Sequence, residues 1–162
     1  LERLAIPAIY VTHDQAEAFA LADRIAIMNA GRIVRTGTPR ETWERPQTVF
    51  VARFLGMDNI VAGVRDGSGW IATPFGRFGP IPGAVGETTL LLRPESVSPS
   101  GAPGPNVAEG VVESLSFAGE RTAVTLTAGG QRIEFSLPSS AELPARGERA
   151  WISVPHVQEL VQ

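Results

Sequence analysis

The stretch Ala8-Ile9-Tyr10-Val11-Thr12-His13-Asp14-Gln15 decides how the first part of this chain is read. It is a short apolar run with β-branched and aromatic members, and a histidine and an acid follow where the run stops. Such runs are expected of strands buried on both faces, which places a strand at Leu4–Thr12, with Pro7 as an entry kink. Polar residues just beyond the carboxyl end of such a strand sit where open α/β sheets hold their ligands. Asp14 can cap a following helix, with Glu17 three residues on completing a capping box. His13 is then expected on a strand-to-helix turn, where it can reach a phosphate or a water.

Working outward, Asp14–Leu21 is rich in Ala, Leu and Glu and predicts a short helix. Asp23–Met28 and Ile33–Thr36 flank Asn29-Ala30-Gly31 and predict a hairpin with Gly31 at the left-handed position. Thr38-Pro39-Arg40-Glu41 has the cap, the first-turn proline and the acid of a strong helix start, and Pro46 ends that helix after Arg45. A further helix runs from Thr48 to Gly56, with Phe50 and Phe54 one turn apart and Val51 and Leu55 likewise. From Met57 onward helical periodicity disappears. Short alternating runs at Val61–Arg65, Trp70–Thr73, Thr88–Arg93, Gly110–Phe117, Thr122–Thr127, Ile133–Leu137 and Ala150–Val154 predict a small barrel or sandwich. Ser98–Asn106 reads as a loop.

Composition narrows the function classes. The chain has 162 residues, 43% hydrophobic and 19% charged, as expected of a globular protein. A net charge of −3 argues against a nucleic-acid partner, which calls for a clustered basic face. There is no cysteine, hence no disulfide framework and no thiolate chemistry. No apolar run approaches the roughly 18–20 residues that would span a bilayer. The chain opens on Leu1 just before a strand-like run, which points to a piece of something longer. His13 and His156 lie far apart, with no neighbouring donors at zinc spacing, so no metal site is expected.

Taken alone, a His beside an Asp at a strand end, as at His13 and Asp14, is more often a structural hydrogen-bonding residue. Asp14 and Glu17 are read as a cap and a solvated face. The order of the segments changes the balance for His13. Tyr10–Ala18, Leu21–Ile33 and Gly37-Thr38-Pro39 resemble the closing part of an ABC-transporter nucleotide-binding domain, and Arg45-Pro46 with Phe50–Gly56 resembles the exit helix of importer ATPases for iron, polyamines and sugars. Leu90-Leu91-Leu92-Arg93-Pro94-Glu95-Ser96-Val97 is similar to a segment of the transport-associated OB-type (TOBE) barrel that follows in those subunits. Gly110-Val111-Val112-Glu113, Phe117-Ala118-Gly119 and Arg121 fit the same pattern.

The resemblance implies a mixed fold, with residues 1–56 as the tail of an α/β P-loop ATPase domain and residues 57–162 as an OB-like regulatory barrel. It implies that His13 is the switch histidine, which touches the γ-phosphate of ATP and helps to orient the attacking water. An imidazole can donate and accept at once, and phosphoryl transfer depends on positioning and on charge stabilisation. The phosphate loop needs a Lys, and all 14 basic residues here are Arg. The signature motif and the catalytic Glu are missing too, so this polypeptide is expected to be inactive alone, with ATP and magnesium belonging to an intact subunit. The implied partners are membrane permease subunits and a second copy of the subunit, at the cytoplasmic face of the membrane. Ferric iron or a polyamine is the favoured cargo, with sugars next. Arg93 and Glu95 are either a salt-bridged strand end or a weak regulatory ligand contact. Trp70, Phe75, Phe78 and Trp151 are expected to pack in a core or between domains. The alternative reading is a stand-alone barrel that binds a small oxyanion or dimerises.

Overall fold

The structure, a computed structural model, describes residues 7–161. Packing divides the chain into two compact units, Leu1–Pro46 and Gln47–Gln162. This division places the last helix with the second unit, whereas the change in sequence character comes after Gly56.

In the first unit, residues 7–12 form no strand, and Ile9 is 97% exposed and Val11 89% exposed. This corrects the expectation of a buried strand at Leu4–Thr12 over the described residues; Leu4–Ile6 lie outside them. The reason is elementary. A strand meets its backbone hydrogen bonds through neighbours, and among the described residues none flanks this segment. Helix α1 (Gln15–Leu21) starts at Asp14, whose side chain accepts the Glu17 N–H. The reciprocal half of the expected capping box is replaced: Thr12 Oγ1 takes the Asp14 N–H, and Glu17 instead receives the Tyr10 and Thr12 hydroxyls. No residue of α1 is buried.

Strands β1 (Ile25–Asn29) and β2 (Arg32–Gly37) form the expected hairpin, and the left-handed backbone at Ala30 and Gly31 turns it tightly. Helix α2 (Pro39–Glu44) has a complete capping box between Thr38 and Glu41 and ends at Arg45. The unit's core is slight: among its described residues Ile27 is the one buried large apolar side chain, and Phe19 meets Trp43 edge-on at 6.0 Å.

The second unit opens with helix α3 (Val49–Phe54), capped by Thr48. Its strands are β3 (Ile60–Arg65), β4 (Ile71–Thr73), β5 (Gly76–Phe78), β6 (Gly86–Leu92), β7 (Ser98–Ser100), β8 (Val107–Ala118), β9 (Arg121–Ala128), β10 (Gln131–Pro138), β11 (Arg149–Ser153) and β12 (Val157–Leu160). They form two antiparallel sheets, ordered β12-β6-β3-β4-β5 and β10-β9-β8-β11-β7. Alternating inward residues of both make one core, including Val61, Ile71, Phe78, Leu90 and Leu92 from the first sheet and Val112, Leu126, Phe135 and Ile152 from the second. The result is the OB-like curled architecture expected from the sequence. Three strands went unread there: β5, β12 and β7. The last corrects the loop assigned to Ser98–Asn106, since Ser98–Ser100 pairs with Ser153–Trp151. Pro99 is tolerated because β7 lies at a sheet edge, where a missing N–H costs no ladder bond.

Two asparagine side chains join the sheets. Asn59, 7% exposed, accepts the Glu134 N–H at 2.8 Å and donates to the Glu134 carbonyl at 2.7 Å. Its own carbonyl takes the Leu92 N–H. Asn106 makes the same two-bond contact with Gly79, while Asn106 N–H reaches Arg77 and Glu109 N–H reaches Phe75. Each carboxamide stands in for one residue of a strand. The entry to α3 is fastened as well: Thr48 bridges Val161 in parallel, Val161 N–H bonds Gln47, and Val49 N–H bonds the Val161 carbonyl.

Candidate functional site

The first candidate is the turn that carries His13. Tyr10, Thr12, Asp14 and Glu17 form a closed set of hydrogen bonds around it, with the Tyr10 hydroxyl and Thr12 Oγ1 both 3.1 Å from Glu17 Oε2. The hydrogen bond that the Tyr10 phenol donates to the Glu17 carboxylate, and then the charge of that carboxylate, raise the phenol above its ordinary pKa. These contacts fix the backbone on either side of His13 and leave the imidazole exposed at the bend ahead of α1. An exposed ring on a pinned turn can accept from one group while donating to another. Asp14 performs the capping role read from the sequence.

The second candidate, Arg93 with Glu95, lies in the other unit. Arg93 Nε and Nη2 bond Glu95 Oε2 and Oε1 at 3.1 and 2.9 Å, a bidentate pair, and Nη1 lies 3.0 Å from Met57 Sδ. The Arg93 side chain is 7% exposed and that of Glu95 42% exposed. The structure therefore brings these two together as a salt-bridged strand end, and the guanidinium is engaged within the chain. Phe75 and Phe78 are fully buried, as expected of core residues. Trp70 and Trp151 are only partly buried, and Arg77 lies 5.4 Å from the centre of the Trp70 ring while also pairing with Asp66. The Ser68 hydroxyl, foremost, together with backbone N–H groups and Arg77, holds the Asp66 carboxyl well below the usual range.

Local sequence reading missed an ion pair between a buried arginine and a partly exposed glutamate. Arg65, 3% exposed, donates Nη1 to the Ala84 carbonyl at 3.0 Å, and its Nη2 approaches Glu159 Oε2 at 2.6 Å as an ion pair without hydrogen-bond alignment. Glu159 also receives the Thr88 hydroxyl at 2.6 Å. A Cβ on Gly83 would lie 2.0 Å from Arg65 Nη1, so the absent side chain there makes room for the guanidinium. The available signal was an Arg at an inward strand position. Its partner lies far away in sequence, which periodicity does not reveal.

Comparisons with known proteins bear on both units. Residues 90–158 match the TOBE domain. The Fe(3+) ions import ATP-binding protein FbpC of Streptomyces avermitilis is 50% identical over 96 residues, covering 58% of this chain and 27% of that protein. The sn-glycerol-3-phosphate import ATP-binding protein UgpC of Paraburkholderia xenovorans is 37% identical across 94% of this chain and 45% of its own length. The cytoplasmic molybdate-binding protein ModG, crystallised with molybdate bound, superposes with a TM-score of 0.48 at 16% identity over 64% of this chain and 96% of that one. The present chain thus spans less than half the length of these curated relatives. No helix among the described residues is long and apolar enough to cross a membrane. Along 94% of its length the chain is thus similar to ATP-binding subunits of importers, and its residues 90–158 carry a TOBE domain.

Proposed function

We propose that this chain is the closing part of the energy-coupling, ATP-hydrolysing subunit of an ABC importer, with residues 1–56 as the tail of the catalytic domain and residues 57–162 as its regulatory barrel. The observation that carries this reading is the similarity to importer ATP-binding subunits along 94% of the chain, well beyond the TOBE match. The first unit supports it physically. Ile9, Tyr10 and Val11 are strand-forming residues left exposed, and α1 buries nothing, as expected of a segment shaped to pack against the rest of an α/β domain.

In this reading His13 is the switch histidine, presented to the γ-phosphate by its pinned turn. Arg93 and Glu95 serve as a structural clasp. The partners are membrane permease subunits and a second copy of the subunit, which works on the cytoplasmic side of the membrane. Ferric iron is the favoured cargo, supported by the relative named for Fe(3+) import, with a polyamine and then a sugar behind it. The residues present do not by themselves fit ATP and magnesium: the chain lacks the phosphate-loop Lys, and the described residues gather no group of three His, Asp or Glu side chains for a metal. Those ligands therefore belong to the intact subunit. The test is made there. In a full-length subunit bearing this segment, His13→Ala should lower ATP turnover by roughly 10²-fold or more while nucleotide affinity stays within a few fold. Turnover equal to that of the parent would remove the switch role.

A further inference from the structure

Strand β8 outruns its neighbour. Its pairing with β11 ends at Val111, followed by two last bonds in which Val112 N–H donates to the Glu148 carbonyl and Gly147 N–H to the Val112 carbonyl. Pairing with β9 continues to Ala118, so from Ser114 to Ala118 one side of β8 has no backbone partner among the described residues. The bulge at Glu113 keeps the phase. Val112, Leu115 and Phe117 lie opposite Leu126, Val124 and Thr122, which are spaced by two on β9. Because Val112 turns its N–H and C=O away from β9, Leu115 and Phe117 do so too. Their side chains share one face and are 40% and 74% exposed.

This is an open, apolar strand edge, which natural proteins usually blunt with charge or proline. Neither is present: Ser114-Leu115-Ser116-Phe117-Ala118-Gly119 holds no charged residue and no proline. The segment is complementary to itself. In an antiparallel pair centred on Ser116, Leu115 faces Phe117 of the other copy and both direct their N–H and C=O groups across the seam, for four backbone hydrogen bonds. The pairing ends at Ala118 of each copy, short of the Val112 edge that Glu148 and Gly147 already occupy, and Glu113 faces Gly119 rather than another acid. We infer that a second copy of this chain docks here, β8 against β8, joining the two barrels in one continuous sheet. The inference rests on the barrel alone and stands whether or not the transport reading holds.

The test uses the full 162-residue chain, which has no cysteine of its own. Sedimentation equilibrium up to about 1 mM should show a monomer–dimer equilibrium, and F117K, which loses both Leu–Phe contacts, should weaken it by roughly tenfold or more. Ser116 would sit opposite its own copy in a non-hydrogen-bonded pair about 4.5 Å apart, within disulfide reach. Mild oxidation should therefore cross-link S116C rapidly and S114C hardly at all, because Ser114 faces Ala118. Both serines are exposed, so these variants stand even if F117K were to fold poorly. A monomer throughout, equal cross-linking of S114C and S116C, or a folded F117K with unchanged association would each overturn the inference.

Discussion

Asn59 is the most informative residue to perturb, because a single side chain ties β10 of one sheet to β3 of the other. In Asn59→Ala two hydrogen bonds to the Glu134 backbone are lost. Each such bond contributes about 1 kcal/mol net. Glu134 lies on an exposed edge strand, so water can reach part of what is uncovered and the full cost of a buried orphan is avoided. The small cavity left at a 7%-exposed site adds a little, giving a total of about 2–3 kcal/mol. With a urea slope of roughly 1.5 kcal/mol/M, the unfolding midpoint should fall by more than about 1 M with the slope unchanged. Near-ultraviolet circular dichroism follows the transition, since Trp70 and Trp151 both lie in the barrel. Asn59→Asp separates the bonding argument from mere volume. An ionised carboxylate keeps the acceptor for Glu134 N–H but opposes the Glu134 carbonyl, and protonation restores the donor. Its folded pKa is thereby raised, so the stability it contributes is present at low pH and lost as pH rises through that value. The Asp variant should approach the parent near about pH 3 and fall away by pH 7. A midpoint for Asn59→Ala within a few tenths of molar of the parent, or an Asp variant insensitive to pH relative to Ala, would refute the reasoning.

Gly83→Ala should destabilise the barrel by about 1–3 kcal/mol, because the new methyl occupies the space of the Arg65 guanidinium; in an Arg65→Met background the same change should cost measurably less. Glu159 is held below the ordinary carboxylate range by the Arg65 guanidinium first and the Thr88 hydroxyl second. Its folded pKa is depressed, so its contribution is present above the unfolded value near about 4.3 and is lost as pH falls through the folded one. Glu159→Gln should flatten that limb of the stability curve, measured by urea midpoints across the acid range. Hydrogen exchange should find the α1 amides nearly unprotected and those of β6 and β9 protected to the level of global unfolding, since α1 buries no side chain.

The sequence made the barrel legible where information was local. Alternation at Val61–Arg65 and Thr122–Thr127, the Ala30-Gly31 turn and the Thr38–Glu41 capping box all follow from neighbours a few residues apart. Strands β5, β7 and β12 were not legible, because each is short and edge-like and carries glycine, proline or mostly polar residues. Asn59, Asn106 and the Arg65–Glu159 pair depend on contacts across the whole barrel, for which no periodicity exists. The apolar run at residues 8–12 failed in the opposite sense. Its pattern describes a strand, yet a strand is a relation between chains of residues, and no flanking strand is present among those described. Of the site residues, the spacing of Arg93 and Glu95 announced their pairing, and the cap at Asp14 announced the turn beneath His13.

The clasp between Gln47–Val49 and Val161 has a mechanical consequence. Tension arriving along the backbone from residues before Gln47 need not travel through α3 to reach the barrel. It passes across two short hydrogen bonds into the end of β12, then sideways into β6 and its continuation at Arg93. A tug on the linker is thus delivered as shear to the strand that bears Leu90–Leu92, so a displacement upstream would register at the opposite end of the unit's own sequence.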